Sequence, residues 1–196
     1  EMALTLGTVR GRINIGQITS LNVVDVPALL AAFRNAHPAV EVHLKAGMSD
    51  ALLAELELGR LDLALVGVGP QVSLPPQHRL LHEEGLSLVM PPGHALAAAA
   101  SVPLQALQGL PLAALVPGAG VRRMLDDALR ERGIQAQLQY EVTHSELQQQ
   151  LVAAGLAVAV VPDSMATRMP RTVVRPLREA FRFRTCAVWR QDPTPA

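Results

Sequence analysis

The 196 residues carry 17 acidic and 17 basic side chains, so the chain lacks the basic excess that a nucleic-acid-binding surface needs. Hydrophobic residues make up 49%, which excludes a disordered chain, while aromatics are only 3%, so aliphatic side chains must fill the core. The single cysteine, Cys186, excludes an intrachain disulfide, and no apolar run approaches the roughly 18 residues of a membrane span.

Ile13 and Ile15 alternate with polar neighbours and predict a strand over 11–16. Gly16 ends it. Val26, Leu29, Leu30 and Phe33 then recur at helical spacing, predicting a helix over 22–36 that Pro38 stops. Thr19 and Ser20 stand just before that helix. There their hydroxyls would join free backbone N–H groups, a setting suited to a carboxylate. Val40, Val42 and Leu44 alternate as a second strand. Ser49 is placed to cap the next helix, with Asp50 in its first turn and Gly59 at its exit. Leu61 to Val66 is a short apolar run of the kind buried on both faces of a sheet. Residues 11–68 therefore read β-α-β-α-β, which predicts a parallel sheet with helices on its faces.

A second series begins with the strand Leu86, Leu88, Met90, broken at Pro91-Pro92-Gly93. A strand over 112–116 leads through Pro117-Gly118-Ala119-Gly120 into a helix over 121–132, which leaves at Gly133. Leu138, Tyr140 and Val142 alternate as the next strand. Ser145 and Gln148 are spaced as a capping box for a helix over 146–154. Gly155 ends that helix, and Ala157 to Val161 predicts a buried strand closed by Pro162. Two more strands are expected at 173–177 and 184–189. Seven of the 16 arginines fall in 168–190. Their alternation with apolar residues favours a solvated edge strand over an anion-binding edge.

Catalytic patterns are missing. There is no Gly-x-Ser-x-Gly elbow, no P-loop and no His-Glu-x-x-His. His78 and His82 have metal-like spacing beside Glu83 and Glu84, but Pro75-Pro76 and Gly85 bound them too tightly for a regular helix. Gly118-Ala119-Gly120 has the place of a dinucleotide-binding turn, yet Arg123 stands where the third glycine belongs. A loop–helix start there still suits an anion. No metal and no cofactor is expected. What remains is a set of loop tips at strand C-terminal ends, where open α/β sheets bind ligands. They are Thr19-Ser20, Gly47-Met48-Ser49, Gly67-Val68, Pro117-Gly118, Thr143-His144-Ser145 and Pro162-Asp163.

With these residues in place, the chain resembles the C-terminal effector-binding domain of LysR-type transcriptional regulators. The resemblance runs through Gly7-x-x-x-Gly11-x-Ile13-x-Ile15-Gly16, Thr19-Ser20, Leu29-Leu30-x-x-Phe33 and His37-Pro38-x-Val40. It continues in Gly47, Leu53, Leu56, Gly59-x-Leu61-Asp62-Leu63-Ala64-Leu65 and Gly93-His94-x-Leu96-Ala97. Glu141, Leu151 to Leu156 and Val160-Val161-Pro162 complete it.

The resemblance implies an α/β fold of two Rossmann-like lobes, of periplasmic-binding-protein type, joined by two crossing segments near 82–88 and 183–190. Lobe I would hold 10–84 plus 186–196, and lobe II 85–185. An N-terminal winged helix-turn-helix and linker helix would carry DNA contact; neither is in this chain, with Glu1 to Thr8 as the linker's remnant. A small organic acid or polar metabolite would bind between the lobes. Thr19, Ser20, Gly47, Met48, Ser49, Gly67 and Val68 would face it from lobe I. Pro117, Gly118, Thr143, His144 and Pro162 would face it from lobe II. The domain would be a cytoplasmic, non-enzymatic homodimer, possibly tetrameric in the full regulator, with the helix over 22–36 in the interface. The single cysteine sets it apart from the family's two-cysteine peroxide sensors. The alternative is a periplasmic solute-binding protein of a transporter.

Overall fold

The structure, a computed structural model, describes residues 10–190. Gly7, the Glu1 to Thr8 segment and residues 191–196 of the expected first lobe lie outside the described residues. In chain order the first half comprises β1 (Gly11–Ile18), α1 (Val26–Ala36), β2 (Val40–Gly47), α2 (Ser49–Glu57), β3 (Leu63–Val68), β4 (His78–Glu84) and β5 (Leu86–Met90). The second half comprises β6 (Pro111–Leu115), α3 (Gly120–Glu131), β7 (Gln137–Val142), α4 (Ser145–Ala153), β8 (Ala159–Pro162), α5 (Asp163–Ala166), β9 (Val173–Pro176) and β10 (Phe183–Trp189).

Two sheets result. The first runs β2-β1-β3-β10-β4. Its β1, β2 and β3 are parallel, and β10 pairs antiparallel with both β3 and β4. In the second, β6 and β7 are parallel, and a parallel bridge from Leu112 to Val158 joins β6 to the chain entering β8. β5 lies antiparallel between β8 and β9. The order β7-β6-β8-β5-β9 thus repeats the order of the first sheet. In each, three parallel strands meet one antiparallel strand that arrives across the molecule.

The chain crosses at Gly85, between β4 and β5, and returns through 178–182. β10 pairs in the first sheet from Phe183 onward, so residues 183–185, expected in lobe II, hydrogen-bond in the first sheet instead.

Two local expectations change, and a stretch with no predicted element forms a strand. Helix α1 starts at Val26, not at 22. Asp25 caps it by accepting from the Ala28 N–H at 2.9 Å, and Pro27 follows in the first turn, where its fixed φ suits a helix start. The proline-bounded stretch 78–84 is strand β4, held by backbone pairing to β10. The capping box at Ser145 does not form: Gln148 is 2% exposed, and its amide donates to the Ala113 carbonyl at 2.8 Å, tying α4 to β6.

Aliphatic packing closes both halves. Leu52 and Leu56 of α2 bury against Val66, Val68 and Val188 of the first sheet. Val121, Leu125 and Leu129 of α3 bury against Leu112 and Leu115 of the second. Each fully buried Leu or Val contributes about 1.5–3 kcal/mol. Phe183 pairs in the first sheet and Met48 leads into α2 beside it, yet both pack on the core of the second sheet.

Candidate functional site

The carboxyl ends of β1 and β3 face the N-termini of α3 and α4 across a cleft. Its inner chamber, about 40 Å³, is walled by Met48, Ser49 and Gly67 on one side and by Leu115, Val121 and Val161 on the other. Phe183 closes its end. An outer chamber of about 180 Å³ adjoins it at Thr19, Ser20, Ser145 and Met165 and includes Asn22, Glu146 and Arg168.

The cleft is shut along its rim. Thr19 Oγ1 donates to the Thr143 carbonyl at 3.3 Å, and the Asp50 N–H donates to the Gly118 carbonyl at 3.2 Å. Arg123 pairs with Asp50. On the outer side, Ser164 Oγ donates to Asn22 Oδ1 at 3.2 Å and Arg168 donates to the Asn22 carbonyl at 3.3 Å. Deepest of all, α3 starts directly against the end of β3. A β-carbon placed on Gly120 would lie 1.9 Å from the Gly67 carbonyl oxygen. Only glycine permits this approach.

The residues expected at the site divide into groups. Thr19, Ser20, Met48, Ser49, Gly67 and Pro162 line the inner chamber. Thr19 and Ser20 are not at a helix N-terminus, however, because α1 begins beyond them at Val26. Ser20 Oγ is buried with no partner. Ser49 is no cap: Met48 is the N-cap residue, and the Ser49 hydroxyl donates to the Gly67 carbonyl at 2.7 Å and accepts from the Gly67 N–H at 3.2 Å. This pins α2 to β3. Gly67 itself leaves room for Phe183, whose ring would lie 2.3 Å from any β-carbon there.

The others stand off the inner chamber. Gly47 packs toward Leu52, and Val68 is 2% exposed in the first core. Pro117 and Gly118 form the rim, where they line a polar groove with Asp50, Arg122 and Arg123. Thr143 contributes its carbonyl to the rim bond, while its hydroxyl meets His144 Nδ1 at 2.8 Å. His144 is the exposed N-cap residue of α4. Gly120, the first residue of α3, faces Gly67 and Val68, and Gly118 faces Met48 and Asp50, so the opposite wall takes the place expected for an anion.

Sequence reasoning did not assign Leu115, Val121, Gln148, Val161 or Phe183 to the site. Gln148 reads as half of a capping box; the other four read as core residues because they are, and only the meeting of two cores makes them walls. Ser145 was read as a cap. In the structure it is 8% exposed, lines both chambers and forms no side-chain hydrogen bond.

Charge around the site is satisfied locally. Burial opposes the charge on Arg122, but hydrogen bonds to Glu141 and Asp126 and their charges more than offset it, holding its pKa above the ordinary value. Arg122 also donates to the Leu115 carbonyl at 2.9 Å, so it braces α3 on β6 and β7. Three of the tail arginines find separate partners: Arg175 donates to the Ala97 carbonyl, Arg184 to the Gly69 and Val72 carbonyls, and Arg182 pairs with Glu83. Burial pushes the Cys186 thiol up, against a smaller opposing effect of Arg184. Among the described residues no three His, Cys, Asp or Glu side chains gather as a metal site. No helix there is long and apolar enough to cross a membrane.

The family model for the LysR substrate binding domain matches residues 6–196. An uncharacterized HTH-type transcriptional regulator, YybE of Bacillus subtilis, is 28% identical over 167 residues, covering 83% of this chain and 56% of that protein. A probable hydrogen peroxide-inducible genes activator of Mycobacterium avium is 30% identical over 156 residues, covering 79% and 50%. The chain spans about half the length of the curated relatives it matches. Among solved structures, the regulatory domain of Synechocystis CcmR in complex with 2-PG superposes with a TM-score of 0.78 at 19% identity, covering 95% of this chain and 91% of that one. The effector binding domain of QuiR in complex with shikimate gives 0.75 at 21%, covering 94% and 90%. These likenesses show the fold: two α/β lobes of periplasmic-binding-protein type.

Proposed function

The chain belongs to the LysR substrate binding domain family, and from that membership we propose that it is the effector-binding module of a LysR-type transcriptional regulator. A small organic acid or polar metabolite binds between the two sheets. The cleft carries this reading: both halves contribute walls to one chamber, and the Ser20 hydroxyl lies there buried without a partner. A buried hydroxyl without a partner is costly, and a ligand that accepts its hydrogen bond removes that cost.

A ligand that prefers the closed cleft shifts the population toward it, in proportion to its differential affinity for the closed and open forms. The chain passes that bias to DNA through a helix-turn-helix region outside it, in the cytoplasm. The family reading makes it a binding module, not an enzyme, and the regulator relatives lend the transporter alternative no support. A homodimer forms through α1 and β2. There Pro27, Leu30, Ala31, Val42 and Leu44 line an exposed apolar groove, and Leu29 is 55% exposed.

Thermal-shift screening of a metabolite panel, followed by calorimetric titration of the best compound, tests the cleft. Val121→Trp should fill the inner chamber and abolish binding. A compound that binds Val121→Trp as tightly as the original chain removes the cleft assignment.

A further inference from the structure

The two chambers of the cleft differ in chemistry, and the difference specifies a ligand class. None of the described residues lining the inner chamber is charged. Three of its polar side chains are already committed: Ser49 to Gly67, Gln148 to Ala113 and Thr19 to Thr143. A charge inside would have no counter-ion, which is costly against so apolar a lining.

Uncommitted donors lie at the junction with the outer chamber and along its wall. Ser20 Oγ and Asn22 Nδ2 are buried without partners. Ser145 is more than nine-tenths buried and unpaired. It opens α4, a nine-residue helix whose first-turn N–H groups favour negative charge. Arg168 lies on the outer wall; Glu146, on the same wall, is exposed to solvent. Donors without acceptors call for an acceptor-rich head group. The uncharged inner chamber calls for an apolar remainder. At about 40 Å³ it has space for only a few atoms beyond a first water, which needs about 10–15 Å³.

We propose that the effector is a compact monocarboxylate, its carboxylate held by Ser20, Asn22 and Ser145 and its short apolar body seated in the inner chamber. This rests on the effector-binding reading and narrows it. Dicarboxylates are rejected because their second charge is stranded in the uncharged chamber.

Acetate, butyrate, hexanoate, succinate and inorganic phosphate should be titrated into the chain by thermal shift and calorimetry. Affinity should peak at short chain length, and succinate should bind at least about tenfold more weakly than butyrate, which has the same carbon count. Ser145→Ala should weaken butyrate about tenfold, as expected for a hydrogen bond to a charged group. Met48→Lys supplies a cation to the inner chamber and should narrow or invert the butyrate–succinate gap, a change that mere loss of packing does not produce. Succinate or phosphate binding as well as butyrate overturns the proposal, as does failure of every monocarboxylate to bind. Polyols, amino acids and phosphate esters run in parallel separate the two readings. If one of these binds and Val121→Trp abolishes it, the cleft stands and the monocarboxylate falls. If butyrate binds Val121→Trp unchanged, both fall.

Discussion

Replacing Gly120 by alanine should open the cleft while leaving each half folded. The new β-carbon would meet the Gly67 carbonyl oxygen at 1.9 Å, the Gly67 carbonyl carbon at 2.7 Å and Val68 Cα at 3.2 Å. All three are backbone atoms at the end of β3, so no rotamer change relieves the clash. The nearest contact must lengthen from 1.9 Å to at least 3.0 Å, which separates α3 from β3. Overpacking of this kind costs about 1–3 kcal/mol, and here it falls on the closed arrangement. The helix itself loses nothing, because alanine is favoured over glycine by up to about 1 kcal/mol. The opposing contacts are individually weak: three bonds to carbonyls at 3.2–3.3 Å, the Ser164–Asn22 bond at 3.2 Å and the exposed Asp50–Arg123 pair, each contributing about 1 kcal/mol or less. Small-angle scattering should therefore report a larger radius of gyration. Effector affinity should fall by about 5–150-fold, the equivalent of 1–3 kcal/mol. Unchanged scattering and affinity would refute the reasoning. So would a collapse of thermal stability, since it would make Gly120 a core contact and not a closure contact.

Gly67→Ala drives a β-carbon toward the Phe183 ring, 2.3 Å away at its nearest atom, and should cost about 1–3 kcal/mol in thermal or denaturant unfolding. Phe183→Leu should relieve part of that cost in a double-mutant cycle; zero coupling would mean the two do not press on each other. Leu29→Arg should convert the proposed homodimer to monomers by light scattering, and a dimer that survives the change moves the interface off α1. Cys186, 1% exposed with a thiol pushed up by burial, should resist aromatic disulfide reagents until denaturant is added. Rapid labelling of the native chain would contradict its burial.

The order of strands and helices was legible in the sequence because its signals are local. Ile13 with Ile15, Val40 with Val42 and Leu44, and Leu138 with Tyr140 and Val142 each announce a strand by alternation alone. Gly59, Gly133 and Gly155 mark helix exits because the chain turns there with positive φ. From those patterns came the α/β class, the two repeated units and the loop tips, and motif order pointed to the family.

What only the tertiary structure decided concerns partners far apart in the chain. Strand β4 exists because β10 pairs with it. Gln148 abandons its cap because the Ala113 carbonyl lies within reach, 35 residues away. Thr19 and Thr143 meet across 124 residues, and Gly120 meets Gly67 only when two separate cores are pressed together. Periodicity records which face of an element is apolar. It does not record which other face will cover it, so Phe183 and Val121 read as core, Ser145 reads as a cap, and the chamber they share arises from packing alone.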